Sequence, residues 1–210
     1  MHPELLDFLR VSNRALTARA WHALRHSSDL PPSVSGGRPF HGIPRLCLWH
    51  DAQGFHTDGS EPFTLTVFEI YGDNLSRHPV VRETVWRRHD DLMELQRKVK
   101  RLRKVAIIDP TFDVRDGPVP AAELAASLKE AAAFRVPIVW LRPEGRESVT
   151  TDIGAVGFEF FSREQPPAVL GLQWSYDMPE SWRPITEWFE RMRKFLVACL
   201  PETRNRCNLQ

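Results

Sequence analysis

The stretch FTLTVFEIYGDNLSRHPVVRETVWRRHDDLMELQRKVKRLRK (63–104) passes from one periodicity to another. FTLTVFEIYG (63–72) is β-branched and aromatic and reads as a strand. GDNLSRHP punctuates it. VVRETVWRR (80–88) follows Pro79, and its β-branched content predicts a second strand that turns helical near Asp90. From Asp90 to Lys104 the apolar positions Leu92, Leu95, Val99 and Leu102 recur at helical spacing. Arg97, Lys98, Lys100, Arg101, Arg103 and Lys104 occupy the remaining faces, so an amphipathic, basic helix is expected.

Working outward, LCLWHD (46–51) predicts another strand. The Pro-, Gly- and Ser-rich segment 27–45 separates it from an amphipathic helix over 3–25. Downstream, KVAIIDP (104–110) predicts a short buried strand and PTFDVRDGPVP a loop. An Ala-rich helix over 120–134 places Leu124 and Leu128 inward, and VPIVWLRP (136–143) predicts a strand. VGFEFFSRE (156–164) and AVLGLQWS (168–175) pair as a hairpin. Ser181 offers an N-cap and Pro184 a first-turn proline for a last helix. That helix is striped by Ile185, Trp188, Phe189, Met192, Phe195, Leu196 and Cys199. The expected organisation is an N-terminal helix (1–26), a loop (27–45), a core (46–200) and a flexible tail (201–210). The fold class is α+β: a single domain with a mixed, mainly antiparallel sheet packed by amphipathic helices. Alternation of strand and helix in the middle permits one or two parallel crossovers.

The 210-residue chain is 42% hydrophobic, 26% charged and 10% aromatic, which excludes disorder throughout. Its net charge of +1 excludes bulk attraction to polyanions. That balance conceals a separation: residues 77–104 carry +6 and residues 105–190 carry −7. The cations comprise 23 Arg and 5 Lys, a skew that GC-rich coding accounts for. Cys47, Cys199 and Cys207 form no CxxC pair, which argues against a disulfide framework and fits a reducing cytoplasm. Neither a signal peptide nor an apolar run of membrane-spanning length is present.

TVWRRHDDLMELQRKVKRL (84–102), with the preceding FTLTVFEIYG, resembles the strand-to-helix junction of phosphoinositide-binding PX domains. In that junction a basic pair precedes an amphipathic helix. The resemblance covers about forty residues and stops at Leu102; the second half of that fold is not recognisable, and no residue role is carried over.

Candidate chemistry is sparse. His41, His50 and His56 lie near Asp51 and Asp58, but in no compact metal-binding spacing. Asp109, Asp113 and Asp116 follow VAII, where α/β enzymes place acid–base or metal-binding carboxylates. No phosphate-cradling Gly loop or nucleophile elbow accompanies them. No catalytic residue, metal or cofactor is therefore assigned. Trp and Tyr with Arg are typical binding anchors, and Tyr176, Trp182 and Arg183 form such a set. Glu144, Glu147 and Asp152 offer acidic contacts to a basic partner.

The expected function is a non-enzymatic protein-binding module, similar in profile to bacterial immunity proteins that neutralise a toxin by covering its active site. One alternative is a metal-dependent hydrolase or nuclease using Asp109 and Asp113 with His50 or His56. Another is binding of an anionic ligand or membrane surface through Arg87, Arg88, Arg97, Lys98 and Arg101 in the basic 87–104 helix. Nucleic acid is not the expected partner, because no aromatic is interleaved for base stacking.

Overall fold

A computed structural model describes residues 3–25, 44–52, 64–72, 78–135, 155–161, 169–175 and 180–208. The elements run α1 (Pro3–Arg25), β1 (Leu46–Ala52), β2 (Thr64–Tyr71), β3 (Val80–Trp86), α2 (Arg88–Leu102), β4 (Thr111–Pro118) and α3 (Ala121–Ala132). They continue with β5 (Ala155–Phe161), β6 (Val169–Ser175), α4 (Arg183–Ala198) and β7 (Asn205–Asn208). The strands form one seven-stranded sheet in the order β6-β5-β1-β2-β3-β4-β7. The fold is α+β and its sheet is open.

Every pairing among these strands is antiparallel, so the parallel crossover that the sequence permitted is not used. The reason lies in the return from α2. Fifteen helical residues advance about 22 Å. Residues 103–110, when extended, retrace about 26 Å. The chain therefore comes back to the end of the sheet it left, and Arg87 N donates to Thr111 O at 2.9 Å. β4 then runs antiparallel to β3, with Trp86 opposite Phe112.

Residues 104–110 were expected as a strand and 110–120 as a loop; the structure reverses these roles. KVAIID belongs to no strand, while TFDVRDGP is β4. The C-terminal residues expected as a flexible tail instead include β7, which pairs with β4 and buries Cys207. The predicted strand 136–143 lies outside the described residues, as does nearly all of the 27–45 loop.

Helices cover both faces of the sheet. On one face α3 and α4 pack Leu124, Ile185, Trp188, Phe189, Met192 and Leu196 against Leu48, Phe68, Ile70, Val81 and Phe158. On the other, α1 and α2 bring Leu16, Ala20, Leu24, Leu95 and Val99 to Leu65, Val67, Trp86, Phe112 and Val114. Coverage on both sides explains why β3 is buried at nearly every position and shows no alternation. Trp188 ties α4 to α3 by donating Nε1–H to Ser127 O at 3.0 Å and Ser127 Oγ at 2.9 Å. It also meets the Phe158 ring edge-on at 5.1 Å between centroids. Gly157 makes room for Trp49 on the neighbouring strand: a Cβ there would lie 2.3 Å from the indole. Ser181 is not the N-cap of α4; a short 3₁₀ turn, Glu180–Trp182, precedes the helix and Trp182 takes that position.

Candidate functional site

The basic helix α2 is anchored at its start. β3 ends on Trp86, whose Nε1–H donates to Asp91 Oδ2 at 2.8 Å. Thr111 N donates to the same oxygen at 2.8 Å, so one buried carboxylate joins β3, α2 and β4. Burial pushes the Asp91 carboxyl upward, while the bonds from Thr111 and Trp86 pull it back. Asp90 and Asp91 in the first turn also oppose the positive end of the helix dipole.

The five cations expected to bind an anion separate into two groups. Arg87 donates Nε–H to Asp90 at 2.8 Å and lies 3.7 Å from Asp113. Arg88 donates to Asp51 at 3.0 Å and sits 5.2 Å from the centre of the Trp86 ring. Both therefore build the strand–helix junction. Arg97, Lys98 and Arg101 instead face an open cavity of about 690 Å³, shared with His89, Asp90, Met93 and Glu94. Lys98 reaches Glu94 at 3.1 Å one turn away. Arg97 and Arg101 are exposed and have no carboxylate within ion-pair distance among the described residues. Leu102, expected on the buried stripe, is 44% exposed at the end of this face.

Arg103 closes α2 in the left-handed conformation, φ 50° and ψ 39°, and donates its N–H to Val99 O. Glycine is the usual residue at such a position, because it has no Cβ to crowd the carbonyl. Arg103→Gly is expected to raise stability by about 0.5–1 kcal/mol, read as a higher urea midpoint with an unchanged slope.

No family model matches the chain. Comparison with the curated proteins and with the solved structures finds no match either. The candidate site thus rests on its own geometry.

The other predicted residues do not converge. Trp182, expected at a partner surface, is 6% exposed and packs in the core beside Ile185, because the 3₁₀ turn tucks its ring beneath α4. Arg183 is exposed and pairs with Glu180. Glu144, Glu147, Asp152 and Tyr176 lie outside the described residues. His50, Thr66, Val85 and Asp113 are successive cross-strand partners. At the usual strand spacing His50 and Asp113 are therefore about 14 Å apart. Asp109 pairs with Arg19 of α1, and His56 lies outside the described residues. Among the described residues no group of His, Cys, Asp and Glu could hold a metal ion. No described helix is long and apolar enough to cross a membrane.

Two buried charge groups escape a reading of the sequence. Arg82, fully buried, faces Glu69 on β2 and donates Nε–H to Asp116 Oδ1 on β4 at 2.8 Å. Burial pushes the Glu69 carboxyl up to about 7, against the lowering effects of the Tyr71 hydrogen bond and the Arg82 charge. On the opposite face Arg115 grips Glu83 with two donors, one at 2.9 Å, and Arg204 adds a bond at 3.2 Å. These pairs satisfy one another inside the sheet, so they bear on stability and leave the α2 exterior as the candidate site.

Proposed function

We propose that the protein is a non-enzymatic binding module that docks another protein against the exposed face of α2. The carrying observation is the division of labour among its cations. Arg82, Arg87, Arg88 and Arg115 are engaged with carboxylates of the fold, whereas Arg97 and Arg101 are exposed beside Met93. A face of this composition favours an acidic partner surface and steers its approach. Covering an acidic rim around a partner's active site is the toxin-neutralising form of the same reading.

A purified protein toxin with an acidic rim around its active site is the partner to test, by titration calorimetry at two salt concentrations. Reversing Arg97 and Arg101 to Glu is expected to weaken the complex at least about tenfold, and raised salt is expected to weaken it further. A complex indifferent to both changes would sink the proposal. So would binding to anionic vesicles with no protein partner, which would favour a membrane surface instead.

A further inference from the structure

The segment that returns from α2 to β4 has the form of a strand without a neighbour. Along residues 105–110 exposure alternates: Val105, Ile107 and Asp109 are exposed, and Ala106, Ile108 and Pro110 are buried. That is the side-chain rhythm of an extended chain. Ala106 and Ile108 join the core beneath α1. Ala106 N donates to Ser12 Oγ on α1 at 2.9 Å, which fastens this side of the segment, while Asp109, on the outward side with Val105 and Ile107, pairs with Arg19 of α1.

In an extended chain the N–H and C=O of one residue point to the same side, and the next residue's point to the other. Since Ala106 directs its N–H at α1, Val105 and Ile107 direct theirs away from it. Residues 104–110 make no backbone–backbone hydrogen bond among the described residues. Among the described residues the N–H and C=O groups of Val105 and Ile107 thus have no backbone partner. The flanking side chains are mixed: Ile107 is 66% exposed and Val105 40%, while Lys100, Arg101, Arg103 and Lys104 supply positive charge immediately before them. An unpaired extended edge invites strand pairing unless charge or cover protects it.

We infer that residues 104–109 are a docking edge that takes an extended segment of a partner protein by strand addition, backbone to backbone. The inference rests on the protein-binding reading above and specifies where and how the partner seats. Val105 and Ile107 offer their peptide groups to the incoming strand and their side chains to its apolar residues. Lys104, with Arg101 and Arg103 at the helix end, selects acidic residues on it. The left-handed Arg103 ends α2, so Lys104 leads directly into the edge. The occupant is thus an extended peptide in which acidic and apolar residues alternate.

A short capped peptide alternating Glu with Val is the probe, with the full-length protein. Saturating peptide is expected to slow amide hydrogen exchange at Val105 and Ile107 at least about tenfold and to leave Ala106, already bonded to Ser12, unchanged. Ile107→Pro removes one outward donor without breaking any internal bond, and its fixed φ suits an extended chain. It is expected to weaken the peptide at least about tenfold with circular dichroism unchanged, whereas Ile107→Thr, which keeps the N–H, is expected to bind within a few-fold of the parent. Salt-dependent peptide binding without protection at Val105 and Ile107 would overturn strand addition while leaving the α2 reading intact. Absence of any peptide binding, together with an intact toxin complex, would overturn it as well. Protection of these amides on self-association, or on anionic vesicles, would give the edge to a second copy or to a membrane and overturn the partner named here.

Discussion

Arg82→Met is expected to destabilise the protein by about 3–5 kcal/mol, the range for removing one partner of a buried ion pair. Arg82 is fully buried in the middle strand pairing, and its guanidinium donates to Asp116 at 2.8 Å and 3.3 Å. Glu69 stands directly across from it on β2. Methionine fills similar volume, so the loss is chiefly electrostatic. Asp116, 8% exposed, loses the guanidinium that faces it, and Glu69 loses the charge that favours its ionised form. A domain is stable by about 5–15 kcal/mol, so the variant would be marginal. Urea unfolding followed by tryptophan fluorescence measures it.

Two companions separate charge from packing. Arg82→Met with Asp116→Asn removes the facing carboxylate as well and is expected to recover most of the loss, since a buried pair replaced as a unit costs little. Arg82→Lys is expected to recover only part, because an ammonium cannot present the two-donor fork that Asp116 receives. If Arg82→Met unfolds at the same urea concentration as the parent, the pair contributes nothing to stability.

How much of this was legible in the sequence depends on what kind of signal each element carries. α2 and α4 announce themselves, since one apolar stripe per helix survives translation into burial: Leu95, Val99, Ile185, Trp188, Phe189, Met192 and Leu196 are all inside. The same periodicity placed Arg97, Lys98 and Arg101 outside. β4 was illegible, because Asp113, Arg115, Asp116, Gly117 and Pro118 are turn-forming residues in isolation. They tolerate a strand because the neighbouring β3 supplies their partners: Glu83 for Arg115 and Arg82 for Asp116. Gly117 is there because the end of α4 lies on it, where a Cβ would meet Cys199 O at 2.2 Å. VAII, by contrast, has the residues of a strand but no edge to pair with. β7 is four residues of NRCN and carries no hydrophobic pattern. Arg87 and Arg88 look like ligands for an anion until Asp90, Asp113 and Asp51 arrive from other parts of the chain.

Glu69→Gln is expected to change how stability depends on pH, by up to about 3 kcal/mol. The Glu69 carboxyl sits at about 7 in the folded protein against 4.5 for an unburied glutamate, so the folded state holds its proton more tightly. Its contribution is therefore fully present below about pH 4.5 and is lost progressively as pH rises through 7. Arg82 also faces Asp116, so ionising Glu69 sets a second negative charge beside one guanidinium in a dry part of the sheet, and burial makes that unfavourable. Glutamine has the shape of the protonated acid, keeps an oxygen for the Tyr71 hydroxyl and never ionises. The variant should match the parent below about pH 4.5, gain on it progressively between about pH 4.5 and 7, and level off above 7 at an advantage of about 3 kcal/mol. Comparing the urea midpoints of the two proteins across that range cancels the other titrating groups. A constant difference between the two curves would show that Glu69 is ionised throughout, and that Arg82 balances two carboxylates at once.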